Sequence, residues 1–336
     1  MKVFRGYQHP ALASQCALTI GNFDGVHRGH QAMLALLKNE AQHRAVPACA
    51  MTFEPHPREY FSPATAPARI STLRDKLTEL ARCGMDQTVV LPFNSQLASQ
   101  TPEAFINDVL VAGLRASYVL VGDDFRFGAR RAGDYAMLDA AGERHGFDVA
   151  RMNSYEVHNT RVSSSAVREA LVQGRMDDAA RLLGRPYSIS GHVVHGRKLG
   201  RELGFRTLNL RFSHWRSAAG GIFAVHVHGL GDQPLAGVAN LGIRPSLDPS
   251  DANAGRVLLE TYCLDWPASL GAEGAYGKII RVELLHKLHD ELKYDGLDAL
   301  RAGIARYCDD ARAFFARLFS ASMHTETSRQ TTRDRI

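Results

Sequence analysis

Two histidines and three glycines stand close together in the segment GNFDGVHRGH at positions 21–30. The segment follows an apolar run that predicts a strand, and it precedes a periodic pattern that predicts a helix. Glycine allows tight turns and a close approach of the backbone to a ligand. The free amides and the dipole at a helix N-terminus favour phosphate. His27 and His30 share one face of the first helical turn, where they can stabilise charge on a phosphoryl group.

Other interpretations of this segment fit the sequence less well. A His-x-x-His pair can be half of a zinc site, but the surrounding sequence offers no obvious further cysteine or histidine ligand. The segment also matches neither the G-x-G-x-x-G dinucleotide fingerprint nor a Walker loop ending in Gly-Lys-Ser/Thr. Binding of nucleotide phosphates is therefore the preferred interpretation.

A second set of candidates lies in the C-terminal half. Residues 191–205 are rich in glycine and basic side chains, and a glycine loop between strands can offer its amides to phosphates. This feature alone is weak, because β-barrels also use glycine in their turns. Glu260 stands in an apolar strand segment, where a carboxylate either faces solvent or acts as a base in a pocket. From the residues alone, both interpretations of Glu260 stay open.

Around the first segment, the spacing of apolar residues alternates between the period of a strand and the period of a helix. Strands are predicted at 17–20, 48–53, 88–91, 118–121 and 147–152. Helices are predicted around 33–41, 73–80, from 101 onward, and at 135–145. Thr72 and Thr101 are the expected helix N-caps, and Pro102 occupies a first helical position. Alternating strands and helices predict an α/β fold with a parallel sheet, which binds ligands at the carboxyl ends of its strands.

The pattern changes after Arg185 and Pro186, which follow a helical linker at 165–183. Glycine-separated apolar segments predict strands at 192–194, 205–210, 223–227, 235–241, 257–264 and 279–285. Phe223, Val225 and Val227 alternate with Ala224, His226 and His228, which is typical of a half-buried antiparallel sheet. Six short strands in succession predict a barrel. A helix is expected at 297–318, and the polar tail is expected to be disordered.

Length and composition bound the class of protein. The 336 residues suggest two domains, and 45% hydrophobic with 22% charged residues exclude a disordered chain and a coiled coil. We expect domains at 1–184 and 185–320 and a polar tail at 321–336. The five cysteines lack a Cys-x-x-Cys spacing, and the sequence lacks a signal peptide or membrane span, so we expect a cytoplasmic protein. The net charge of +5 suits anionic ligands, but the sequence lacks a polybasic arm, and we expect no nucleic-acid partner.

Further motifs place the segment at 21–30 in a family. TFEPHP at 52–57 follows the second predicted strand, VGDDFRFG at 121–128 ends a later one, and RVSSSAVR at 161–168 opens the linker helix. In this order they resemble the bacterial bifunctional riboflavin kinases/FMN adenylyltransferases, also called FAD synthetases. The resemblance covers nearly the whole chain. It implies a Rossmann-like nucleotidylyltransferase domain followed by an antiparallel β-barrel with a terminal helix.

For the first domain, the resemblance implies transfer of an adenylyl group from ATP to FMN. His27, His30 and Arg168 would be catalytic, and Arg168 would reach the phosphates that leave as pyrophosphate. Phosphate and ATP binding is expected at Asn22, Phe23, Asp24, Gly25, Gly29, Asp124, Arg161 and Ser164. A flat isoalloxazine ring needs apolar walls, although core packing is the commoner role of any single Phe. Flavin binding is expected at Phe53, His56, Pro57, Phe61, Phe125 and Phe127.

For the second domain, the resemblance implies ATP-dependent phosphorylation of riboflavin. Thr207 and Asn209 match family residues that hold ATP-bound Mg²⁺, and their neutral oxygens share one face of a strand. Glu260 matches the family's catalytic glutamate, which takes the proton of the ribityl 5′-hydroxyl. ATP binding is expected at Gly191, Gly196 and Gly200. The implied substrates are ATP, riboflavin and FMN, the final product is FAD, and the oligomeric state stays open.

Four residues depart from the family pattern around the kinase motifs and leave the kinase rate open: Arg206, Leu208, Tyr262 and His289. One alternative is a nucleotidylyltransferase with another acceptor, such as phosphopantetheine, which leaves the barrel unexplained. A second is a nucleic-acid-binding protein, which predicts exposed aromatic residues interleaved with Lys and Arg. A third is a flavin-binding regulator whose kinase module has lost catalysis.

Overall fold

A computed structural model describes residues 1–12, 15–153, 155–157, 160–195, 204–211, 216–243, 257–271 and 273–333. They form two compact units. The N-terminal unit contains Met1–Val167 and Leu182–Gly184. The C-terminal unit contains Arg168–Arg181 and the described residues from Arg185 onward.

The N-terminal unit is built on a parallel sheet of six strands. They are β1 (Lys2–Arg5), β2 (Cys16–Ile20), β3 (Ala48–Glu54), β4 (Gln87–Pro92), β5 (Ala116–Gly122) and β6 (Asp148–Met152). Their order is β1-β4-β3-β2-β5-β6. The five predicted strands are confirmed, whereas β1 was not predicted. Only Phe4 of its four residues is buried, so the strand carries too little apolar pattern to be detected.

Helices cover both faces of this sheet. They are α1 (Arg28–His43), α2 (Pro57–Phe61), α3 (Leu73–Arg82), α4 (Ser95–Ser99), α5 (Pro102–Ala104) with a π-helical continuation (Phe105–Gly113), and α6 (Tyr135–His145). A short hairpin of β7 (Glu156–Val157) and β8 (Thr160–Arg161) follows. Thr72 and Thr101 are N-caps, as predicted: their hydroxyls accept from the backbone amides of Asp75 and Ala104.

The sheet is buried on both sides, and alternate residues of β2 reach the two cores. Leu18 packs in the cluster that contains Ile106, whereas Ala17 packs in the cluster that contains Leu34 and Leu37 of α1. Nearly continuous apolar strands are therefore explained by two-sided burial.

The predicted linker helix is interrupted. The structure has α7 (Ser164–Val172) and α8 (Met176–Leu183). Between them Gly174 adopts a φ of 69°, a conformation that ends a helix readily when the residue is glycine. The amides of Gly174 and Arg175 bond back to the carbonyls of Leu171 and Ala170, which completes the helix end.

The C-terminal unit contains a closed antiparallel barrel, as predicted. Its strands are β9 (Tyr187–Val194), β10 (Thr207–Arg211), β11 (Gly221–His228), β12 (Leu235–Ile243), β13 (Val257–Cys263) and β14 (Ile279–His289). They close in the order β10-β13-β12-β11-β14-β9. Phe223, Val225 and Val227 are fully buried, which confirms the predicted apolar face of this segment.

The last helix, α9 (Leu297–Arg333), packs against the barrel strands. Its Tyr307 and Cys308 lie in a buried cluster with Ile222 and Ala224 of β11 and with Val238 of β12. The expectation of disorder, which concerned residues 324–336, is wrong for residues 324–333, because the helix continues through them. These residues include neither proline nor glycine, so the sequence gives no signal that ends the helix.

Candidate active sites

The loop between β2 and α1 has a tightly fixed backbone. Phe23 and Val26 have φ values of 48° and 40°, although neither is a glycine. Both side chains are buried, and this packing offsets the cost of the unusual backbone. Gly25 has a φ of 81°, and a Cβ there would lie 2.8 Å from Cγ2 of Ile70. The loop therefore needs glycine at this position.

Asp24 braces the loop from within. Its carboxylate accepts hydrogen bonds from the amides of Ile70 and Ser71, each at 3.1 Å, and from the Ser71 hydroxyl at 3.3 Å. The amide of Gly25 in turn donates to the Ser71 hydroxyl. Asp24 is only 3% exposed. These contacts support a positioning role for Asp24, and its predicted contact with ATP stays a prediction.

His27 and His30 come together at the start of α1. Their rings stack with centroids 3.7 Å apart and planes 15° apart. Nδ1 of His27 accepts from the amide of His30 and caps the helix. Nδ1 of His30 is buried without a hydrogen-bond partner in the part of the chain that the structure describes. Burial, then the charges of His27 and Lys76, hold the pKa of His30 well below 6.5, so its imidazole is neutral at neutral pH.

Lys76 on α3 is a member of this site that the sequence interpretation missed. It is only 3% exposed, and its Nζ donates to the Thr52 hydroxyl at 3.3 Å. That hydroxyl donates to the carbonyl of Asn22 in the loop, at 3.2 Å. Burial lowers the pKa of Lys76, and Asp24 opposes this effect. A lysine one turn from Leu80 on the buried face of an amphipathic helix was the available signal.

The segment that leads to Lys76 is anchored by an ion-pair cluster. The guanidinium of Arg69 bonds to Glu54 at the end of β3 and to Glu59 of α2. Arg69 is buried, so its charge is balanced by the two carboxylates rather than by water. Residues 69–76 are therefore held to β3 on one side and to the β2–α1 loop on the other.

The start of α7 also reaches the loop. The Ser163 hydroxyl accepts from the amide of Ala166 and caps the helix. The Ser164 hydroxyl donates to the carbonyl of Asp24 at 3.1 Å. A Cβ on Gly29 would lie 3.4 Å from the carbonyl oxygen of Val162, so the first turn of α1 lies close to this segment. Two helix N-termini thus converge beside one loop, as the motif at 161–168 led us to expect.

The other residues predicted to bind phosphate are placed by one ion pair and by their positions along the chain. Arg161 pairs with Asp123 at 3.6 Å, which links the motifs at 161–168 and 121–128. Asp124 follows Asp123, and Arg168 lies one turn beyond Ser164 on α7. Their contacts with ATP stay predictions.

The predicted flavin-binding aromatic residues fall into two groups. Phe61 is 63% exposed and lies edge-on to Tyr60 and Phe93, and Phe93 also contacts Phe53. Tyr60 and Phe93 were not predicted. In the other group, Phe125 stacks on Phe127 with centroids 5.5 Å apart.

Burial separates the members of these groups. Phe127 is buried and packs against the buried Phe105, so core packing accounts for it. Phe61 instead exposes most of its ring, as a flavin platform requires.

His56 and Pro57 form the start of α2. The imidazole Nδ1 of His56 accepts from the amide of Arg58, and Glu59 accepts from the amide of His56 in a capping box. Burial lowers the pKa of His56 to about 4, against the opposing charges of Asp24 and Glu59. The flavin contacts predicted for His56 and Pro57 remain predictions.

In the barrel, strand register aligns three polar residues. Asn209 of β10 is the direct partner of Glu260 of β13, and Glu260 is the direct partner of Asn240 of β12. Leu259 and Thr261 are fully buried on either side of Glu260 in the β13 sequence. Side chains alternate along a strand, so the row Asn209–Glu260–Asn240 lies on the outer face of the barrel. The alternation also places Thr207 on this face.

This row offers oxygen atoms to a cation. The amide Nδ2 of Asn209 donates to the carbonyl of Thr207, while its Oδ1 is buried without a partner in the described parts of the chain. An orphaned neutral oxygen beside a hydroxyl suits a hard cation whose other ligands are phosphates and water. The described residues include no cluster of three or more His, Cys, Asp or Glu that would hold a metal by itself. Thr207 and Asn209 therefore fit Mg²⁺ only as partners of a bound nucleotide.

The predicted glycine loop is partly corrected. Gly191 lies inside β9, paired with Ile280, and not in a loop between strands; its predicted contact with ATP stays a prediction. Its Cβ position faces Leu210 at 3.3 Å, which explains the small residue. Gly196 and Gly200 lie outside the described residues. At the end of β9, His195 stacks on Tyr276 with centroids 3.9 Å apart.

Residues 9–166 match the family model described as FAD synthetase, and residues 183–315 match riboflavin kinase. The bifunctional riboflavin kinase/FMN adenylyltransferase of Escherichia coli K12 is 45% identical, over 94% of this chain and 98% of its own. Its counterpart from Haemophilus influenzae is 40% identical, over 94% and 99%. The chain belongs to the family of bifunctional riboflavin kinases/FMN adenylyltransferases.

This family assignment confirms the predicted function: the enzyme phosphorylates riboflavin to FMN and adenylylates FMN to FAD. A solved structure described as a macrolide-efflux protein from Streptococcus pneumoniae has a TM-score of 0.72 at 24% identity, covering 93% of this chain and 99% of its own. That likeness supports the fold alone. No helix among the described residues is both long and apolar enough to cross a membrane. The domain boundary at 184/185 stays a prediction.

Three of the four departures from the family pattern have structural explanations. Leu208 is buried in the barrel, between Thr207 and Asn209. Tyr262 packs edge-on against Phe205 at 5.3 Å. His289 bonds through Nε2 to Asp310 of α9 at 2.7 Å, so it ties the helix to β14. These contacts give Leu208, Tyr262 and His289 packing or anchoring roles beside the row.

Proposed function

We propose that the N-terminal unit carries out adenylyl transfer with the stacked histidines and the convergent helix N-termini. The nucleophile is the phosphate of FMN, whose second pKa is about 6, so it is ionised at neutral pH without a base. One of its oxygens forms a bond to the α-phosphorus of ATP. The bond from that phosphorus to the bridging oxygen breaks, and pyrophosphate leaves. The site has to align these groups and stabilise the charge on the transferring phosphoryl oxygens.

His27 and His30 can each offer a ring N–H to a phosphoryl oxygen. Because Nδ1 of His27 accepts from the His30 amide, the proton of its neutral ring sits on Nε2. Its Nε2–H can then donate to a phosphoryl oxygen. The low pKa of His30 supports the same neutral form. Lys76 supplies a buried positive charge behind the loop, and Arg168 would neutralise the departing pyrophosphate.

We propose that the barrel phosphorylates riboflavin with Glu260 as general base. The ribityl 5′-hydroxyl is not ionised at neutral pH, so its attack benefits from a base. The hydroxyl oxygen forms a bond to the γ-phosphorus as its proton passes to Glu260, and ADP leaves. Thr207 and Asn209 would hold Mg²⁺ together with ATP, and the bound cation would neutralise phosphate charge.

The observation that carries this assignment is the position of Glu260 in the row. Glu260 is the direct cross-strand partner of Asn209. The buried Oδ1 of Asn209 has no hydrogen-bond partner among the described residues, so it is a potential ligand of a cation next to Glu260. The barrel, where the nucleophile is a hydroxyl, therefore has a carboxylate that can serve as the base.

A mixing experiment tests the division of labour. Glu260→Gln and His30→Ala are each incubated with riboflavin, ATP and Mg²⁺, and FMN and FAD are separated. We expect Glu260→Gln to form neither product, His30→Ala to accumulate FMN, and the mixture to form FAD. A mixture that forms no FAD would contradict independent sites. Omission of Mg²⁺ tests the metal in both reactions.

We further propose that the partners are small molecules and that the enzyme acts in the cytoplasm. The described cysteines Cys16, Cys49, Cys83, Cys263 and Cys308 are all free thiols, as a reducing compartment allows. Binding to single-stranded DNA, measured as a function of salt, tests the absence of a nucleic-acid partner.

A further inference from the structure

Asn240 lies on the other side of Glu260 from Asn209. Both asparagines are direct cross-strand partners of Glu260, on β12 and β10 respectively. Neighbouring strands are about 4.8 Å apart, so the two amides flank the carboxylate at similar distances. The row therefore has two distinct ends, and the proposed base stands between them.

The amide of Asn240 is held in one orientation. Its Nδ2 donates to Oε1 of Glu291 at 3.3 Å. Glu291 can approach because residue 242 is glycine: a Cβ on Gly242 would lie 2.5 Å from the same carboxylate oxygen. Since the Nδ2 side is engaged by Glu291, the Oδ1 side is directed elsewhere.

Oδ1 of Asn240 is buried and has no hydrogen-bond partner within the described residues. A buried acceptor left unpaired is destabilising, and such an atom in a folded protein calls for an explanation. A donor supplied by a ligand would satisfy it. Asn209 carries the same kind of orphaned oxygen at the opposite end of the row.

The proposed reaction assigns different ligands to the two ends. Asn209 lies on the ATP side, where its oxygen suits the cation of the nucleotide. Glu260 has to face the attacking hydroxyl. The position beyond Glu260, away from ATP, is that of the remaining ribityl chain, which carries further hydroxyl donors.

We propose that Asn240 is a specificity-determining residue of the kinase site, whose Oδ1 accepts a hydrogen bond from a ribityl hydroxyl of riboflavin. Glu291 is then a positioning residue that orients the amide. The inference rests on the proposed role of the barrel. It assigns recognition of the sugar chain to a side chain that does not take part in proton transfer.

The test compares two flavins in the absence of ATP. Riboflavin has the ribityl chain, whereas lumiflavin has the same ring system with a methyl group in its place. Equilibrium binding is measured by the change in flavin fluorescence. We expect Asn240→Ala to weaken riboflavin binding by about tenfold, the size of one lost hydrogen bond, and to leave lumiflavin binding unchanged. Equal weakening of both flavins, or no weakening of either, would overturn the proposal.

Glu291 provides the matched controls. Glu291→Gln keeps an oxygen that can accept from Asn240, so riboflavin should bind as in the parent enzyme. Glu291→Ala releases the amide and should weaken riboflavin binding, but by less than Asn240→Ala. A stronger effect of Glu291→Gln than of Glu291→Ala would contradict the positioning role.

The proposal can fail separately from the kinase assignment. Binding is measured without turnover, so the result does not depend on Glu260 as the base. If Glu260→Gln still phosphorylates riboflavin while Asn240→Ala loses only riboflavin affinity, the base assignment is wrong and the recognition assignment stands. If Asn240→Ala instead raises the KM for MgATP with riboflavin affinity unchanged, Asn240 belongs to the nucleotide side and the proposal is wrong.

Discussion

The two candidate sites handle the same substrate, ATP, with different parts of the protein. The candidate adenylyltransferase site is a loop of unusual backbone conformation beside two helix N-termini. The candidate kinase site is a row of side chains aligned by strand pairing. An ionised phosphate needs alignment and hydrogen-bond donors, which backbone amides and neutral imidazoles supply. A hydroxyl also needs a base, which a side chain has to supply. The state of the nucleophile thus explains the difference.

The supports of the two sites differ as well. The loop is held by residues distant in the sequence: the backbone amide of Ile70 donates to Asp24, and the buried Lys76 donates to Thr52, whose hydroxyl bonds to the loop. The row is held by the barrel's own hydrogen-bond ladder. We therefore expect the loop to be sensitive to substitutions outside the site, and the row to be sensitive mainly to its own side chains.

The largest expected effect is on the kinase. Glu260→Gln keeps the size of the side chain but cannot take a proton, so riboflavin phosphorylation should fall by roughly 10²–10⁴. FAD formation from supplied FMN should be unchanged, which serves as the control for folding of the N-terminal unit. Product separation with each substrate measures both rates. Phosphorylation close to that of the parent would show that Glu260 is only a strand residue.

The corresponding change in the other site is His30→Ala. Loss of a donor to the transferring phosphoryl group should reduce FAD formation by about 10²–10³ while FMN accumulates. His27→Ala should give a smaller loss of activity and also a loss of stability, because His27 caps α1. His27→Asn keeps a capping acceptor and separates the two effects. FAD formation at the parent's rate in the double variant would exclude both imidazoles.

Lys76→Met tests the support of the loop. Removal of the buried charge should lower FAD formation about tenfold and leave FMN formation unchanged. Because the charge of Lys76 lowers the pKa of His30, its removal raises that pKa. The acid limb of the pH profile of FAD formation should therefore move to higher pH. Thr52→Val removes the hydrogen bond but keeps the charge, so it should slow the reaction without moving that limb.

His56 gives the smallest expected effect. Its pKa is about 4 in the folded chain against 6.5 for an ordinary histidine, so the unfolded chain takes up its proton first. The contribution of His56 to stability is therefore present above pH 6.5 and is lost as the pH falls towards 4. His56→Asn keeps a capping side chain and removes the titration, so proton uptake on unfolding should decrease by up to one proton. Urea-dependent hydrogen exchange of peptides that cover β2 and β3 gives the free energy of unfolding at each pH between 4 and 6.5. The slope of this free energy with pH gives the proton uptake for the parent and for His56→Asn.

Most of the confirmed predictions came from patterns that are local in the sequence. The alternation of periods predicted five parallel strands and six barrel strands, because each signal lies within a few residues. The spacing of His27 and His30 predicted a shared helical face, and the rings stack there. Thr72 and Thr101 were predicted as caps for the same reason.

Long-range contacts were the part that could not be predicted. The partner of Lys76 is Thr52, on another element, and only the fold brings the two together. Asn240 joins the row through strand register, and register in a closed barrel is not fixed by residue types alone. Gly191 was assigned to a loop because its position in a strand depends on pairing with Ile280.

The hydrogen bonds around Asp24 have a consequence for the motions of the N-terminal unit. The amides of Ile70 and Ser71 donate hydrogen bonds to its carboxylate, and the Gly25 amide donates to the Ser71 hydroxyl. Neither the β2–α1 loop nor the 69–72 segment can leave its place without breaking bonds to the other. The two segments, nearly fifty positions apart in the sequence, should open and close as one cooperative unit of local unfolding.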